Sequence, residues 1–285
     1  MFSRLLGRKL SAAWQYSASG VLWRLFPQAD GLLLGEDRDP EKKTVSFFCL
    51  DDRTGVVRWK DLTFAEPWWI SMEALHHDIL ILHEYAAPDM PDHKKISAVD
   101  AASGRVLWTN ADAKYLFAHG DCVYAARETF EERLFSEIRL SDGLMLREVG
   151  APEMHDIQRS LGAEFQQPIR FPDIARSGEQ ADPELDAILS AAGAPARVED
   201  QTEYILTSGH LVVARSSPTP GARAEPSFEQ QITIYDRARR RSLFIDLMNA
   251  RLSMPVPDMF FCKNDHLYYI KEKRTLSAVY LRPPS

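Results

Sequence analysis

Apolar and polar residues alternate with a period of two along most of this chain, in short runs broken by Gly, Asp and Pro. A period of two places one face of an extended strand in a core and the other in water. Two stretches repeat this closely. Residues 45–59 read VSFFCLDDRTGVVRW and residues 94–108 read KKISAVDAASGRVLW. Each is an alternating strand, an Asp, a short turn ending in Gly, and a second strand ending in Trp. The spacing predicts a hairpin. Gly55 and Gly104 supply the positive φ of its tight turn, and Asp51 and Asp100 bond the turn backbone.

Weaker copies follow in SEIRLSDGLMLREV (136–149) and ITIYDRARRRSLFI (232–245). The second keeps Asp236, replaces the Gly with Arg240, and puts Phe244 where the Trp stood. A further strand precedes each hairpin: GLLLGED (31–37), DILILHE (78–84), DCVYAAR (121–127), GHLVVAR (209–215) and DHLYYIK (265–271). Upstream of each lies another short apolar run. The unit is therefore a four-stranded antiparallel meander of about 40 residues, the blade of a β-propeller. Five units follow, over about 21–59, 68–109, 114–149, 203–247 and 258–281. The last lacks a fourth strand, and SAAWQYS (11–17) carries Trp14 at the hairpin-Trp position. The N-terminal strand is thus expected to complete the last blade and remove two open edges; an open arrangement is the competing reading. The fold class expected is all-β, a single five-bladed propeller.

LDDRTGVVRW and VDAASGRVLW resemble the repeat of the quinoprotein (PQQ-like) β-propellers, roughly Ala-x-Asp-x-x-Thr-Gly-x-x-x-Trp. In that family the Trp docks between neighbouring blades. The resemblance assigns that role to Trp59 and Trp108, with Trp14 and Phe244 at corresponding positions. The quinoprotein dehydrogenases carry more blades and a calcium-bound cofactor. Here the units are fewer, no cysteine pair is adjacent, and no calcium carboxylate set is assignable. The resemblance thus implies a fold with no cofactor, closest to non-catalytic scaffold members. The whole-chain pattern, including GEDRDPEKK and HEYAAPDMPDHKK, is also similar to an uncharacterised bacterial family.

Residues 151–202 break the repeat. They hold ten acids against four bases in a chain whose net charge is −7. Asp182 followed by Pro183 and ELDAIL predicts a helix with Asp182 as N-cap, stopped by Gly193 and Pro195. The segment joins the third and fourth units and reads as a partly ordered, partly helical excursion over the propeller, with a mobile loop as the competing reading. It falls at the same end as the longer connections Asp37 to Thr44, Glu84 to Lys94 and Ser216 to Glu229. Long loops gathered on one face of a rigid scaffold are where binding concentrates.

The acidic balance, 41 Asp+Glu against 34 Lys+Arg, excludes a general nucleic-acid binder. No apolar run reaches the roughly 20 residues that cross a bilayer, so no membrane partner is expected. Met1 to Ala13 has no apolar signal core. Cys49, Cys122 and Cys262 are far apart, odd in number and set in strand-like runs. They read as reduced thiols of a cytoplasmic protein, taken as a monomer.

Candidate chemistry is sparse. The seventh positions of the second strands are Asp37, Glu84, Arg127, Arg215 and Lys271. In a ring these sit at one height, and with Glu36 and His83 they form a charged rim for a polar ligand or protein. Strand ends emerging into water account for the same charges. His83, Glu84, Asp89, Asp92 and His93 cluster within eleven residues, but no spacing matches a metal site, and no metal is expected. Trp68 and Trp69 are read as opening an innermost strand. Arg237, Arg239, Arg240 and Arg241 form a basic turn at the opposite end. No nucleophile elbow, P-loop, Rossmann glycine pattern or HExxH occurs. The expected function is a non-catalytic binding module. The alternative is a hydrolase with paired carboxylates at the channel mouth.

Overall fold

The alternating runs fold as antiparallel strands, four to a meander. In the computed structural model, residues 9–28, 30–86, 92–130, 132–161, 169–175, 182–191, 202–219 and 227–281 are described. The result is an all-β protein of five propeller blades. The chain divides into two compact units, Ala18–Gln167 and Met1–Ser17 with Pro168–Ser285.

The first strand, β1 (Ala12–Ser17), belongs to the second of these units. The Ala18–Gln167 unit holds three sheets. The first is β2 (Val21–Pro27), β3 (Leu32–Asp39), β4 (Thr44–Asp51) and β5 (Val57–Leu62). The second is β6 (Ile70–His76), β7 (Ile79–Tyr85), β8 (His93–Asp100) and β9 (Val106–Asn110). The third is β10 (Lys114–His119), β11 (Cys122–Glu128), β12 (Arg133–Arg139) and β13 (Met145–Val149), followed by helix α1 (Ala151–Ser160). Each sheet runs in chain order.

The other unit holds β14 (Ile169–Arg170), β15 (Asp173–Ile174), α2 (Pro183–Ala191) and two larger sheets. The fourth sheet is β16 (Thr202–Leu206), β17 (His210–Pro218), β18 (Phe228–Asp236) and β19 (Arg241–Leu252), with β15 added beside β16. The fifth is β20 (Phe260–Lys263), β21 (His266–Lys271) and β22 (Thr275–Tyr280), with β14 at one edge and β1 at the other. Trp14 pairs with Ala278 and Ser17 with Thr275. The N-terminal strand therefore closes the last blade. Gln15 Nε2 donates to Ser277 Oγ at 3.0 Å across this pair.

Neighbouring sheets within a unit bury their apolar faces against each other. Leu34, Phe47 and Cys49 of the first sheet meet Ile70, Met72, Leu80 and Leu82 of the second. Ile81, Ile96 and Ala98 of the second meet Val123, Ala125 and Ile138 of the third. In the other unit Val212, Ile232 and Ile234 meet Phe260, Leu267 and Tyr269.

The hairpin tryptophans lock these stacks. Trp59 Nε1 donates to the Ala101 carbonyl at 2.8 Å, and Trp108 Nε1 donates to the Leu140 carbonyl at 2.7 Å. Each indole lies over the turn of the next sheet. A Cβ added at Gly104 would come within 2.7 Å of the Trp59 ring, and one at Gly143 within 2.7 Å of Trp108. Both glycines also have positive φ, 72° and 74°. The turn glycine thus serves two demands, the backbone of the hairpin and the space for the preceding sheet's indole. In the other unit Phe244 packs edge-on to Tyr269 at 6.2 Å, and Trp14 lies 6.0 Å from Tyr268. The turn aspartates act as capping acceptors. Asp51 Oδ1 accepts from the Thr54 N–H and hydroxyl at 3.0 and 2.8 Å, and Asp100 does the same with Ser103.

Several expectations are corrected. β3 extends to Asp39, so the connection from Asp37 to Thr44 is a four-residue turn rather than a long loop. Trp68 and Trp69 precede β6, held by Glu66 Oε1 accepting from both backbone N–H groups. Trp68 lies beneath Arg38 and Lys43 instead of entering a core strand. The insertion packs on the sheets through its two helices. Met154 of α1 packs on Phe117, Tyr124 and Val149, covering the open face of the third sheet. Leu185, Ile188 and Leu189 of α2 pack on Leu211, Val213 and Tyr235, covering the open face of the fourth. Arg237 in the basic turn pairs with Glu184 of α2 at 2.5 Å. Asp182 Oδ1 does cap α2, accepting from Glu184 N–H at 2.9 Å. Gly193 and Pro195 lie outside the described residues.

Replacing Trp59 or Trp108 with Ala should cost about 3–5 kcal/mol, because each leaves a large cavity and an unpaired carbonyl. Trp23→Ala, at a side chain 65% exposed, should cost under about 1 kcal/mol; urea unfolding measures all three. Gly104→Ala and Gly143→Ala should each cost about 2–4 kcal/mol, from left-handed strain plus overpacking against the indole. Gly120→Ala, where φ is 55° and nothing lies within 4 Å of the added Cβ, should cost only the strain, about 1 kcal/mol. Equal losses at Gly104 and Gly120 would contradict the indole docking.

A pH dependence follows from the Asp51 turn. Burial pushes the Asp51 carboxyl up, but Thr54 and Arg58 outweigh it and hold it below the ordinary range. A folded value below the unfolded one, about 3.9, means the turn stabilises at neutral pH and loses that contribution as pH falls through the folded value. Asp51→Ala should therefore cost more at pH 7 than at pH 2.5 in urea melts.

Candidate functional site

Two buried charges define the seam between the first and second sheets. Glu36 is fully buried. It accepts from Ser71 Oγ at 2.6 Å, from the Met72 N–H at 2.6 Å and from Arg38 Nε at 2.9 Å. Arg38 in turn donates to the Ile70 carbonyl at 2.5 Å and the Trp68 carbonyl at 2.9 Å. Both carboxylate oxygens are engaged within the protein. Glu36 is thus a clamp between strands β3 and β6, with no contact left for a ligand.

The proposed rim separates into paired and unpaired members. Asp37 accepts from the Ser19 and Gly20 N–H groups at 2.8 and 2.7 Å, holding the chain as it enters β2. Glu84 is buried and pairs with Lys95 at 2.6 Å. Lys271 pairs with Asp246 at 2.7 Å. These two lie beside a cleft of about 510 Å³ lined also by Leu10, Gln15, Ser242 and Phe244, between the outermost strands β1 and β19. Arg127 is exposed, beside a smaller cleft with Asn110, Asp112 and Glu148. Arg215 is half-buried on the α2-covered face of the fourth sheet. Among the described residues its Nε and Nη2 have no hydrogen-bond partner, nor does the hydroxyl of Thr202 directly across the strand pair. Burial accordingly pushes the Arg215 guanidinium down from its ordinary value.

His83 belongs to a different constellation, on the second sheet. Its ring stacks on His93 with centroids 3.6 Å apart and planes within 11°. Tyr85 meets both rings edge-on at 4.9 and 5.4 Å. These three alternate on one face of the paired strands β7 and β8, where His93 faces Tyr85. Glu73 enters from β6. A bulge between Met72 and Ala74 leaves Glu73 outside the ladder register, and bulges re-aim side chains in this way. A second bulge, between His83 and Glu84 on the other side, puts Lys95 at a φ of 56°. Glu73 Oε2 lies 2.5 Å from His83 Nδ1 and 3.5 Å from His93 Nδ1.

The electrostatics of this cluster are set by burial and mutual charge. Burial raises the Glu73 carboxyl, but His83, His93 and Arg24 together hold it below the ordinary range. Burial, with the neighbouring His83, pushes the His93 imidazole down. Arg24 is fixed nearby by a hydrogen bond to the Met72 carbonyl. Glu84 faces Lys95 instead, and Asp92 accepts from Lys114 at 2.8 Å. Asp89 lies outside the described residues. The structure thus gathers His83 and His93 from the predicted loop cluster and adds Glu73, which sequence spacing had missed. The one trace of it was a lone acid within the otherwise apolar run ISMEAL.

The thiols take no part. Burial pushes Cys49 and Cys262 up to about 12, and burial with Glu137 pushes Cys122 up to about 11.

Comparison with known proteins gives one match over part of the chain and a set of similar shapes. The profile of a domain of unknown function, DUF4905, matches residues 27–108, which run from the end of β2 into β9. No curated protein matches. Among solved structures, BamB from Moraxella catarrhalis is 13% identical, covering 97% of this chain and 99% of that one, with a TM-score of 0.28. A member of the DUF4221 family from Bacteroides vulgatus is 9% identical, covering 95% and 97%, with a TM-score of 0.33. Hsv2 of Kluyveromyces lactis is 8% identical, covering 96% and 75%, with a TM-score of 0.26. Among the described residues no helix is long and apolar enough to cross a membrane.

Glu36→Ala should lower stability by about 3–5 kcal/mol, since it strands the buried Arg38 charge. Lys271→Ala at the half-exposed pair should cost under about 1 kcal/mol. Chemical denaturation of the two variants separates the clamp from the cleft wall.

Proposed function

We propose that this protein is a non-catalytic β-propeller binding module, built on PQQ-like repeats, that takes a small polar ligand. The observation that carries this reading is the fate of the rim acids. Glu36, Asp37 and Glu84 are each engaged by Arg38, by backbone N–H groups or by Lys95. A carboxylate pair for hydrolysis needs one acid free to hold a proton and another free to attack or activate water, some 5–10 Å apart. Acids held by cations and amides serve as struts instead. The cleft beside Lys271 is of the size that small-molecule sites take, about 300–1,000 Å³. Its polar wall of Gln15, Ser242 and the Lys271–Asp246 ion pair beside Leu10 and Phe244 suits a ligand whose two charges exchange with that pair, such as an amino acid or short peptide. The Trp59–Gly104 and Trp108–Gly143 contacts support the PQQ-like assignment, because they put the repeat's Trp and Gly in one joint.

Thermal melts with a panel of amino acids, dipeptides, sugars and dicarboxylates test the reading, beside turnover assays on chromogenic glycosides and esters. A zwitterionic compound should raise the melting temperature by a few degrees at saturating concentration. Lys271→Ala should abolish that shift, and no substrate should turn over. Turnover lost on replacing a single acid would overturn the reading in favour of the hydrolase.

A further inference from the structure

The Glu73, His83 and His93 cluster belongs to the Ala18–Gln167 unit and the Lys271 cleft to the other unit, and nothing in the binding-module reading uses the cluster. Its three donor atoms come from three adjacent strands, β6, β7 and β8, and all lie within 4.8 Å of one another. We propose that they form a binding site for a first-row divalent transition cation, with zinc as the ion tested.

The donor chemistry selects the class. Two imidazole nitrogens and one carboxylate oxygen suit zinc, iron or cobalt, whereas calcium and magnesium want oxygen alone. The geometry is close to what such an ion needs. Bonds of about 2.1 Å place neighbouring donors roughly 3–3.4 Å apart. Glu73 Oε2 to His93 Nδ1 is 3.5 Å, and the shorter 2.5 Å contact to His83 Nδ1 opens by a small turn of the carboxylate. Both histidines present the same nitrogen to the same oxygen.

His83 supplies the second, independent observation. Its side chain is 2% exposed; its Nδ1 meets only the Glu73 carboxylate, and its Nε2 has no hydrogen-bond partner among the described residues. A buried ring nitrogen left so is rare in native proteins. A cation between the three donors accounts for the convergence of both histidine Nδ1 atoms on the Glu73 carboxylate. The Glu73 and His93 side chains are 24% and 28% exposed, which provides the entry path and an open coordination position. Tyr85 against both rings and the two flanking bulges hold the donors in place.

The test uses the full chain, stripped with a chelator and then titrated with zinc by calorimetry and with cobalt by visible absorption. One zinc per chain should bind with a Kd at or below about 1 μM, undisturbed by millimolar magnesium or calcium. Cobalt should show the d–d bands of nitrogen and oxygen ligation. Glu73→Gln and His93→Ala should each weaken zinc by at least about 10-fold. His76 and His77, at the far end of β6 and in the turn after it, lie 4.2 Å apart with their rings tilted, and replacing both with Ala should leave the affinity unchanged. His93→Gln replaces the alanine variant if circular dichroism shows the latter unfolded. The proposal is overturned by absence of binding, by zinc retained at full affinity in the Glu73 and His93 variants, or by zinc lost on removing His76 and His77. The ligand panel above stands or falls separately, since it reads Lys271.

Discussion

The architecture of the first three sheets depends on one joint. An indole from the last strand of a sheet needs both a flat seat and a hydrogen-bond acceptor, and the turn of the next sheet offers both. Trp59 on Gly104 with its Nε1–H on the Ala101 carbonyl, and Trp108 on Gly143 with its Nε1–H on the Leu140 carbonyl, are the same contact made twice. Apolar sheet faces would attract each other at many angles, because burial is non-directional. The indole fixes which turn lies beneath which strand, and so sets the register of one blade on the next. The glycine is required by its own turn and by its neighbour's ring, which is why the dipeptide spacing Gly-x-x-x-Trp is a sign of stacking rather than of a hairpin alone.

Charge does a second kind of fixing at the same seam. Glu36 and Arg38 reach from β3 to the backbone of β6 and its approach. Removing such groups from water is costly, and only the nearly complete set of partners around Glu36 offsets it. The result orders the residues leading into β6, the strand that then bulges at Glu73. The clamp and the histidine cluster are neighbours along one strand, and the first positions the second.

The fold was more legible than the site, for a physical reason. Strand alternation, the turn glycines and the terminal tryptophans are local signals, and they placed all five meanders and the pairing of Trp14's strand with β22. The helix capped by Asp182 was equally local. The α1 helix was missed because Gly150 gives it no side-chain cap and its apolar face is only Met154, Ile157 and Leu161 in a polar stretch. The site depended on non-local facts. A second-strand end looks the same in sequence whether it meets solvent, as Arg127 does, or a lysine on the next strand, as Glu84 does. The bulge that brings Glu73 to His83 leaves no mark in the sequence, since it is an irregularity of pairing and not of residue type.

The central joint is tested most directly by hydrogen exchange at the indole Nε1–H groups, read by nuclear magnetic resonance in the native protein. Trp59 and Trp108 should exchange only through opening of the stacked sheets, far more slowly than the solvent-facing Trp23. Exchange of Trp59 and Trp108 at the rate of Trp23 would mean that the indoles are not seated, and the account of how the blades lock together would fail.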